Sequence, residues 1–183
     1  MSREVLFGMG NLAERMAALV GEDASQETVE AAPDASTAYV HVGQLFTSPA
    51  ACTVTTILGS CVSVCLWDPT TGAGGLNHFL LPHCVENGIS SPRFGNVAIH
   101  RLLDDLAKLG SPRARLKSKI FGGASVIDAF QTANESLGMK NVDLARRLLA
   151  DAGIPIVAED VGGAQGRKLV FKTGDGTAWV RKI

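Results

Sequence analysis

Apolar residues recur along this chain with two different periods, and the changes of period divide it into elements. The segments AYVHVGQLF, ACTVTTIL and CVSVCLWD, between Ala38 and Asp68, are rich in β-branched and aromatic residues and predict strands. Thr71-Gly-Ala-Gly-Gly75 then breaks the chain, and LNHFLLP predicts a strand returning against the one before it, the signature of a hairpin. From Asn96, read as a helix cap, the residues Val97, Ile99, Leu102, Leu103, Leu106 and Leu109 follow at helical spacing until Gly110 and Pro112 stop them, predicting a helix over 96–109. Asn141 opens a second helix in the same way, over 141–152, with Val142, Ala145, Leu148 and Leu149 on one face, Gly153 just past its end and Pro155 beyond. Further short strands are predicted at LKSKIFG, IPIVAED, RKLVFK and TAWVRK. The pattern is that of a mixed α/β domain with many strands and no internal repeat.

Ahead of that domain the pattern is thinner. Asn11 caps a short predicted helix carrying Leu12, Met16, Leu19 and Val20, and residues 21–36 follow with five acids (Glu22, Asp23, Glu27, Glu30, Asp34), no base and Val29 as the one large apolar side chain. This composition predicts a linker, so residues 1–36 form an N-terminal helix plus acidic linker and residues 37–183 the folded domain. Charge sharpens the division. The 183-residue chain holds 17 basic and 18 acidic residues, but from Thr37 onward there are 15 bases against 11 acids, so the domain is mildly basic and the near-neutral total is an average over unlike parts. Neither figure carries the strong basic footprint of a nucleic-acid binder. With 46% hydrophobic and 19% charged residues the chain excludes collagen, coiled coil and wholesale disorder, and its length supports one core without metal or disulfide staples. No apolar run reaches the roughly 18 residues of a membrane span, and Arg3, Glu4, Glu14 and Arg15 interrupt the start where a secretory signal would need an apolar core. A cytoplasmic protein with no membrane insertion and no nucleic-acid partner is expected.

The reactive side chains concentrate between Cys52 and Cys84. Four cysteines (Cys52, Cys61, Cys65, Cys84) are too few and too local for a secreted disulfide framework, so reduced thiols are expected. Gly59 and Ser60 precede Cys61, and the small residues let the backbone turn and present both the thiol and free N–H groups. The opposing reading is ordinary packing, since Cys61, Ser63, Cys65 and Trp67 share one strand face and thiolate character needs an electropositive neighbour. His78 is that neighbour if the hairpin pairs: it lies 17 residues after Cys61 on the returning strand, where an imidazole could take the thiol proton, although a lone histidine among Leu and Phe also suits a core. A zinc site is disfavoured, because Cys61 and Cys65 are separated by an apolar strand rather than a tight turn and no second Cys pair follows. The glycine clusters at 72–75, 122–123 and 162–163 lack the Lys-Ser or Lys-Thr of a phosphate loop and read as turns and close-packing points. No metal and no cofactor is expected.

The words LGSCVSVCLWDP, GGLNHFLLP, RFG, KIFGGA, IPIVAEDVGG and GRKLVF, in that order, resemble the CheD family of chemoreceptor glutamine deamidases from about Val42 to Val180. The resemblance implies a mixed β-sheet sandwich flanked by helices, similar to the deamidating toxin domains. It also implies a cysteine-dependent protein-glutamine glutaminase, with Cys61 as nucleophile, His78 as base and Thr55, six positions before the cysteine, as the third residue. The implied substrate is a glutamine on the cytoplasmic helical domain of a chemoreceptor, hydrolysed through a Cys thioester with release of ammonia. A CheC-type phosphatase is an implied second partner. Alternatives are a chiefly regulatory, CheC-binding role, or a transglutaminase or methylesterase using the same Cys-His site, since an amine can capture the same thioester. Backbone N–H groups around Gly59 to Cys61 are the expected oxyanion donors.

Overall fold

A computed structural model describes residues 37–84, 90–125 and 135–183, with the short stretches 28–29 and 131–132. The predicted N-terminal helix and most of the acidic linker lie outside the described residues. Among the described residues there are twelve strands and two α-helices. Strands β1 (Thr28–Val29), β2 (Thr37–Tyr39), β3 (Gln44–Ser48), β4 (Thr53–Leu58), β5 (Val62–Trp67) and β6 (Gly74–His78) are followed by helix α1 (Gly95–Lys108) and β7 (Lys117–Gly122). A short pair, β8 (Gln131–Thr132) and β9 (Glu135–Ser136), precedes helix α2 (Leu137–Asp151), and β10 (Ile156–Val161), β11 (Arg167–Lys172) and β12 (Ala178–Lys182) complete the order.

Two mixed sheets result. The larger runs β1-β3-β6-β5-β7-β10 and the smaller β12-β11-β4-β2. The segment AYVHVGQLF, read as one strand, is divided between them. Tyr39 pairs with Thr55 in the small sheet and Gln44 with His78 in the large one, and Gly43, at φ +79°, supplies the left-handed turn between. Thr28–Val29, within the stretch read as linker, pairs in parallel with β3 and extends the large sheet.

β5 sits at the centre of the packing, and its six residues are all buried. The two-residue alternation of a strand explains how. Val62, Val64 and Leu66 face α1 and α2 in a core with Phe79, Ile99, Leu102, Leu106, Val142 and Leu149. Cys65 and Trp67 face the small sheet, in a second core with Phe46, Val54, Leu58, Leu76, Leu169 and Phe171. The architecture is thus helices, large sheet, small sheet, and the expected sandwich is found with both helices against one sheet. The hairpin is also found, with Cys65, Leu66 and Trp67 paired to Leu76, Gly75 and Gly74. Gly74 and Gly75 belong to the strand, and Gly72, at φ +78°, to the turn: a Cβ on Gly75 would lie 2.1 Å from the Phe46 carbonyl oxygen.

Both helices start earlier than their apolar spacing predicts. α1 begins at Gly95, whose missing side chain admits Phe79 and Leu144, and Asn96, expected as its cap, instead accepts the Cys84 N–H through Oδ1. α2 is capped by Ser136, whose Oγ accepts the Met139 N–H at 3.3 Å. Asn141, the expected cap, is therefore inside the helix and fully buried. No helix among the described residues is long and apolar enough to cross a membrane.

Candidate active site

The turn from β4 to β5 is Gly59-Ser60-Cys61, and its three successive carbonyls are all hydrogen-bonded. The Gly59 oxygen accepts from the Ala124 N–H and the Cys61 oxygen from the Gly123 N–H, each at 2.8 Å, while the Ser60 oxygen accepts from Asn141 Nδ2 at 3.2 Å. The first two donors come from the end of β7. Gly122 and Gly123 adopt φ of +111° and +70°, and a Cβ on Gly122 would lie 2.1 Å from the Cys61 oxygen. Only glycine lets this strand press its backbone against the turn.

Cys61 is partly exposed and lies just before the first residue of β5. The Val62–Phe79 bridge and the Cys65–Leu76 pair set the register, which places Ser63 opposite His78 and Cys61 diagonal to it. Diagonal neighbours of this kind are roughly 7–8 Å apart at Cα, within reach of a cysteine and a histidine side chain. Beside them the ladder is modified, because the Val64 N–H donates to Asn77 Oδ1 at 2.9 Å.

His78 is buried, and its ring is held from the small sheet. Thr56 Oγ1 lies 2.9 Å from His78 Nδ1 and donates to the Val40 carbonyl at 2.7 Å. A hydroxyl has one proton, and a carbonyl can only accept. With that proton committed to Val40, Thr56 Oγ1 must accept from Nδ1–H, which leaves Nε2 without a proton. Nε2 is buried, and among the described residues nothing is hydrogen-bonded to it. The result is an imidazole whose basic lone pair has no hydrogen-bond partner among the described residues.

The threonine in contact with His78 is Thr56 and not Thr55. In β4 the buried positions are Val54, Thr56 and Leu58, and Thr55 projects to the other face, half-buried and paired with Tyr39 and Val170. The distinction follows from strand parity: Val54 and Leu58 fix the inward face, and only Thr56 shares it. Asn141 was also missed as a site residue, since its position after Lys140 reads as a helix start and nothing local reveals two carbonyls 61 and 81 residues away.

Burial governs the site's charge. It pushes the Cys61 thiol up to about 11, against a smaller opposite pull from the residue's own backbone amide. Burial likewise pushes His78 down to about 4, with the Val40 carbonyl opposing and His41 adding to the shift. At neutral pH the site therefore rests as neutral thiol and neutral imidazole rather than as an ion pair. The other cysteines are placed elsewhere: Cys65 is fully buried and pushed up to about 12 by burial, and Cys52 is buried at the far end of β4, also raised by burial. Among the described residues no three His, Cys, Asp or Glu side chains are grouped to hold a metal ion. A cleft of about 480 Å³ beside Ala51, Thr71, Lys172 and Asp175 lies at that same far end, away from Cys61. In the basic stretch Arg113 to Lys119, Arg115 pairs with buried Asp68 at 2.8 Å and Lys119 donates to the Gly176 carbonyl at 2.7 Å, while Arg113 and Lys117 are exposed.

The family profile described as CheD chemotactic sensory transduction matches residues 80–182. A relative named probable chemoreceptor glutamine deamidase CheD 1, from Anaeromyxobacter dehalogenans, is 52% identical over 145 residues, covering 79% of this chain and 84% of the relative. The chain belongs to the CheD family. A second CheD relative, probable chemoreceptor glutamine deamidase CheD from Sulfurimonas denitrificans, is 38% identical over 146 residues and covers 79% of this chain and 93% of its own. Among solved structures, the hypothetical protein YfiH of Bacillus licheniformis aligns at a TM-score of 0.39 and 15% identity, covering 79% of this chain and 66% of that one, a likeness too slight to carry an argument. The family profile begins after Cys61 and His78, whereas the 145-residue match to the Anaeromyxobacter relative is long enough to take in both.

Proposed function

We propose that this chain is a protein-glutamine deamidase acting in the cytoplasm on glutamine side chains in the helical domain of a chemoreceptor. The observation that carries the reading is the committed hydroxyl of Thr56, which fixes Nδ1–H on His78 and leaves Nε2 as a base. The names of the CheD relatives supply the substrate class.

The steps follow from a resting neutral pair. As Cys61 Sγ attacks the side-chain amide carbon, its proton passes to His78 Nε2, and the carbonyl oxygen becomes an oxyanion. When the carbonyl re-forms, the C–N bond breaks and Nε2–H protonates the nitrogen, so that ammonia leaves and a thioester remains on Cys61. Water then attacks the thioester, giving its proton to Nε2. On collapse the C–S bond breaks, Nε2–H returns its proton to Cys61 Sγ, and the substrate carries the carboxyl group of glutamate while thiol and imidazole are neutral again. Throughout, Thr56 holds the imidazole in one tautomer and one orientation. Being neutral, it stabilises imidazolium less than the aspartate of a serine protease does, so the positive charge is short-lived here.

Intact-mass measurement and peptide mapping of a purified chemoreceptor test the reading. Incubation with the protein should add about one mass unit at a particular glutamine and release ammonia, and Cys61→Ala should do neither while keeping its fold. Normal deamidation by Cys61→Ala would overturn the assignment.

A further inference from the structure

We infer that Asn141 is a positioning residue that aims the backbone amide of Cys61 at the oxyanion. Asn141 is fully buried in the second turn of α2, and its Nδ2 donates to the carbonyls of Ser60 at 3.2 Å and Leu80 at 2.8 Å. Both neighbours are acceptors, so the amino group must face them, and its two protons are both used. One side chain therefore joins the residue before the nucleophile to the residue two after the base.

The geometry of the peptide unit turns this clamp into an aiming device. In a trans peptide the carbonyl and the N–H of one plane point in opposite directions, and no cis peptide occurs among the described residues. Ala124 ties the Gly59 carbonyl and so directs the Ser60 N–H away from β7. Gly123 ties the Cys61 carbonyl, and the Val62 N–H opposite to it is spent on the Phe79 carbonyl at 3.0 Å. The plane between Ser60 and Cys61 is the one held by a side chain. Asn141 draws its carbonyl toward α2, and the Cys61 N–H points the other way, on the residue that carries the nucleophile. Without Asn141 the Ser60 carbonyl loses this donor, and the plane is free to rotate toward another.

The close approach of α2 explains how the clamp is kept rigid. Gly138, one turn before Asn141, packs backbone to backbone on Gly123, where a Cβ would lie 2.3 Å from the Gly123 oxygen. The helix is thus fixed to the strand that holds the Cys61 carbonyl, and Asn141 reaches the turn from a defined height.

The inference takes the identity of the oxyanion from the deamidase reading above, but not the geometry. Asn141→Ala and Asn141→Ser test it, the serine keeping one donor on a shorter arm. Removing an oxyanion donor outright costs about 100- to 1000-fold in kcat, and misaiming one should cost about 10- to 100-fold, with serine falling less than alanine. KM for a receptor fragment and the rate of Cys61 alkylation by iodoacetamide should stay within about threefold, because neither depends on an oxyanion. In protein labelled with ¹⁵N-cysteine, the Cys61 amide proton shift should move in both variants. An unchanged kcat in both, or a parallel fall of kcat and alkylation, would overturn the inference, the second outcome showing that Asn141 holds the thiol rather than the amide. If Cys61→Ala proves active, the deamidase reading fails, while an unmoved Cys61 amide shift in Asn141→Ser would still separately refute the clamp.

Discussion

The resting protonation state of Cys61 gives the sharpest test of the site. Burial raises its thiol from 9.0 to about 11. Two pKa units correspond to about 2.7 kcal/mol against the thiolate. At pH 7.5 an ordinary thiol of pKa 9 is about 3% ionised, whereas one of pKa 11 is about 0.03% ionised, a difference of roughly 100-fold in the nucleophile available. Iodoacetamide reacts with thiolate and needs no oxyanion, so it reads this population directly. Alkylation of Cys61, followed by peptide mapping against the other three cysteines, should be about 100-fold slower at pH 7.5 than for an unburied cysteine. Its rate should climb tenfold per pH unit through pH 9 without a plateau. A rate already level at pH 7, with an inflection on the acid side near 4, would mean a thiolate–imidazolium pair at rest and would refute the reasoning from burial. The same neutral pair predicts that kcat/KM holds as pH falls and declines only as Nε2 is protonated near pH 4.

Three further outcomes follow from named contacts. Thr56→Val keeps the shape of the side chain but takes the acceptor from His78 Nδ1, so kcat should fall at least about tenfold through loss of the fixed tautomer, whereas Thr55→Val, on the opposite face of β4, should leave it within about threefold. Buried His78 makes the fold acid-sensitive: its folded pKa of about 4 lies below the ordinary 6.5, so between those values the unfolded chain binds the proton and the native state does not. Stability should be intact above about pH 6.5 and fall by about 3 kcal/mol as pH drops to 4, and chemical denaturation of His78→Gln should show that loss removed. Arg167 is fully buried and bonds Asp160 Oδ1 at 2.6 Å and the carbonyls of Asp160 and Gly162, so Arg167→Ala should cost about 3 kcal/mol in a urea titration by emptying its buried site and leaving the two carbonyls without this donor, while Lys182 stays on Asp160 Oδ1.

How much of this was legible in the sequence depends on the range of the interaction. β4, β5, β7, β11 and β12 stand where their β-branched residues place them, and the hairpin that pairs Cys65 with Leu76 follows from the glycine break. Cys61 and His78 are local in this sense, because one hairpin register brings them near. Thr56 is one step further: the motif pointed to Thr55, while the alternation Val54, Thr56, Leu58 already separates the two if the inward face of β4 is known. Asn141 and the helix starts lie beyond sequence reasoning. Ser136 caps α2 and Gly95 opens α1 because of close approaches to Gly123, Phe79 and Leu144, and these exist only once the layers are stacked. Asparagine is an ordinary helix cap in isolation, and it takes the tertiary contacts with Ser60 and Leu80 to make it something else.

A site that buries both its acid and its base disfavours charge on either side chain alone, and this suits an uncharged substrate. A glutamine amide brings no charge to pair with imidazolium or thiolate, so an ion pair at rest would have to be held by protein dipoles alone. Here the dipoles are arranged otherwise. The carbonyls of Gly59, Ser60 and Cys61 are each tied by a donor on the β7 or α2 side, and their field is turned away from the reacting carbon. On the proposed mechanism the N–H groups of Ser60 and Cys61, opposite those carbonyls in their trans peptide planes, would face the place where negative charge appears when sulfur adds to the amide. The arrangement thus favours charge separation in the transition state more than in the resting state, which is the condition for raising kcat rather than tightening ground-state binding. It follows that Cys61 should be sluggish toward simple alkylating agents and fast toward the one carbonyl the turn is shaped to receive. A receptor glutamine that reacts quickly while iodoacetamide reacts slowly is the behaviour this geometry requires, and equal sluggishness toward both would show that the amides of the turn do not face the substrate.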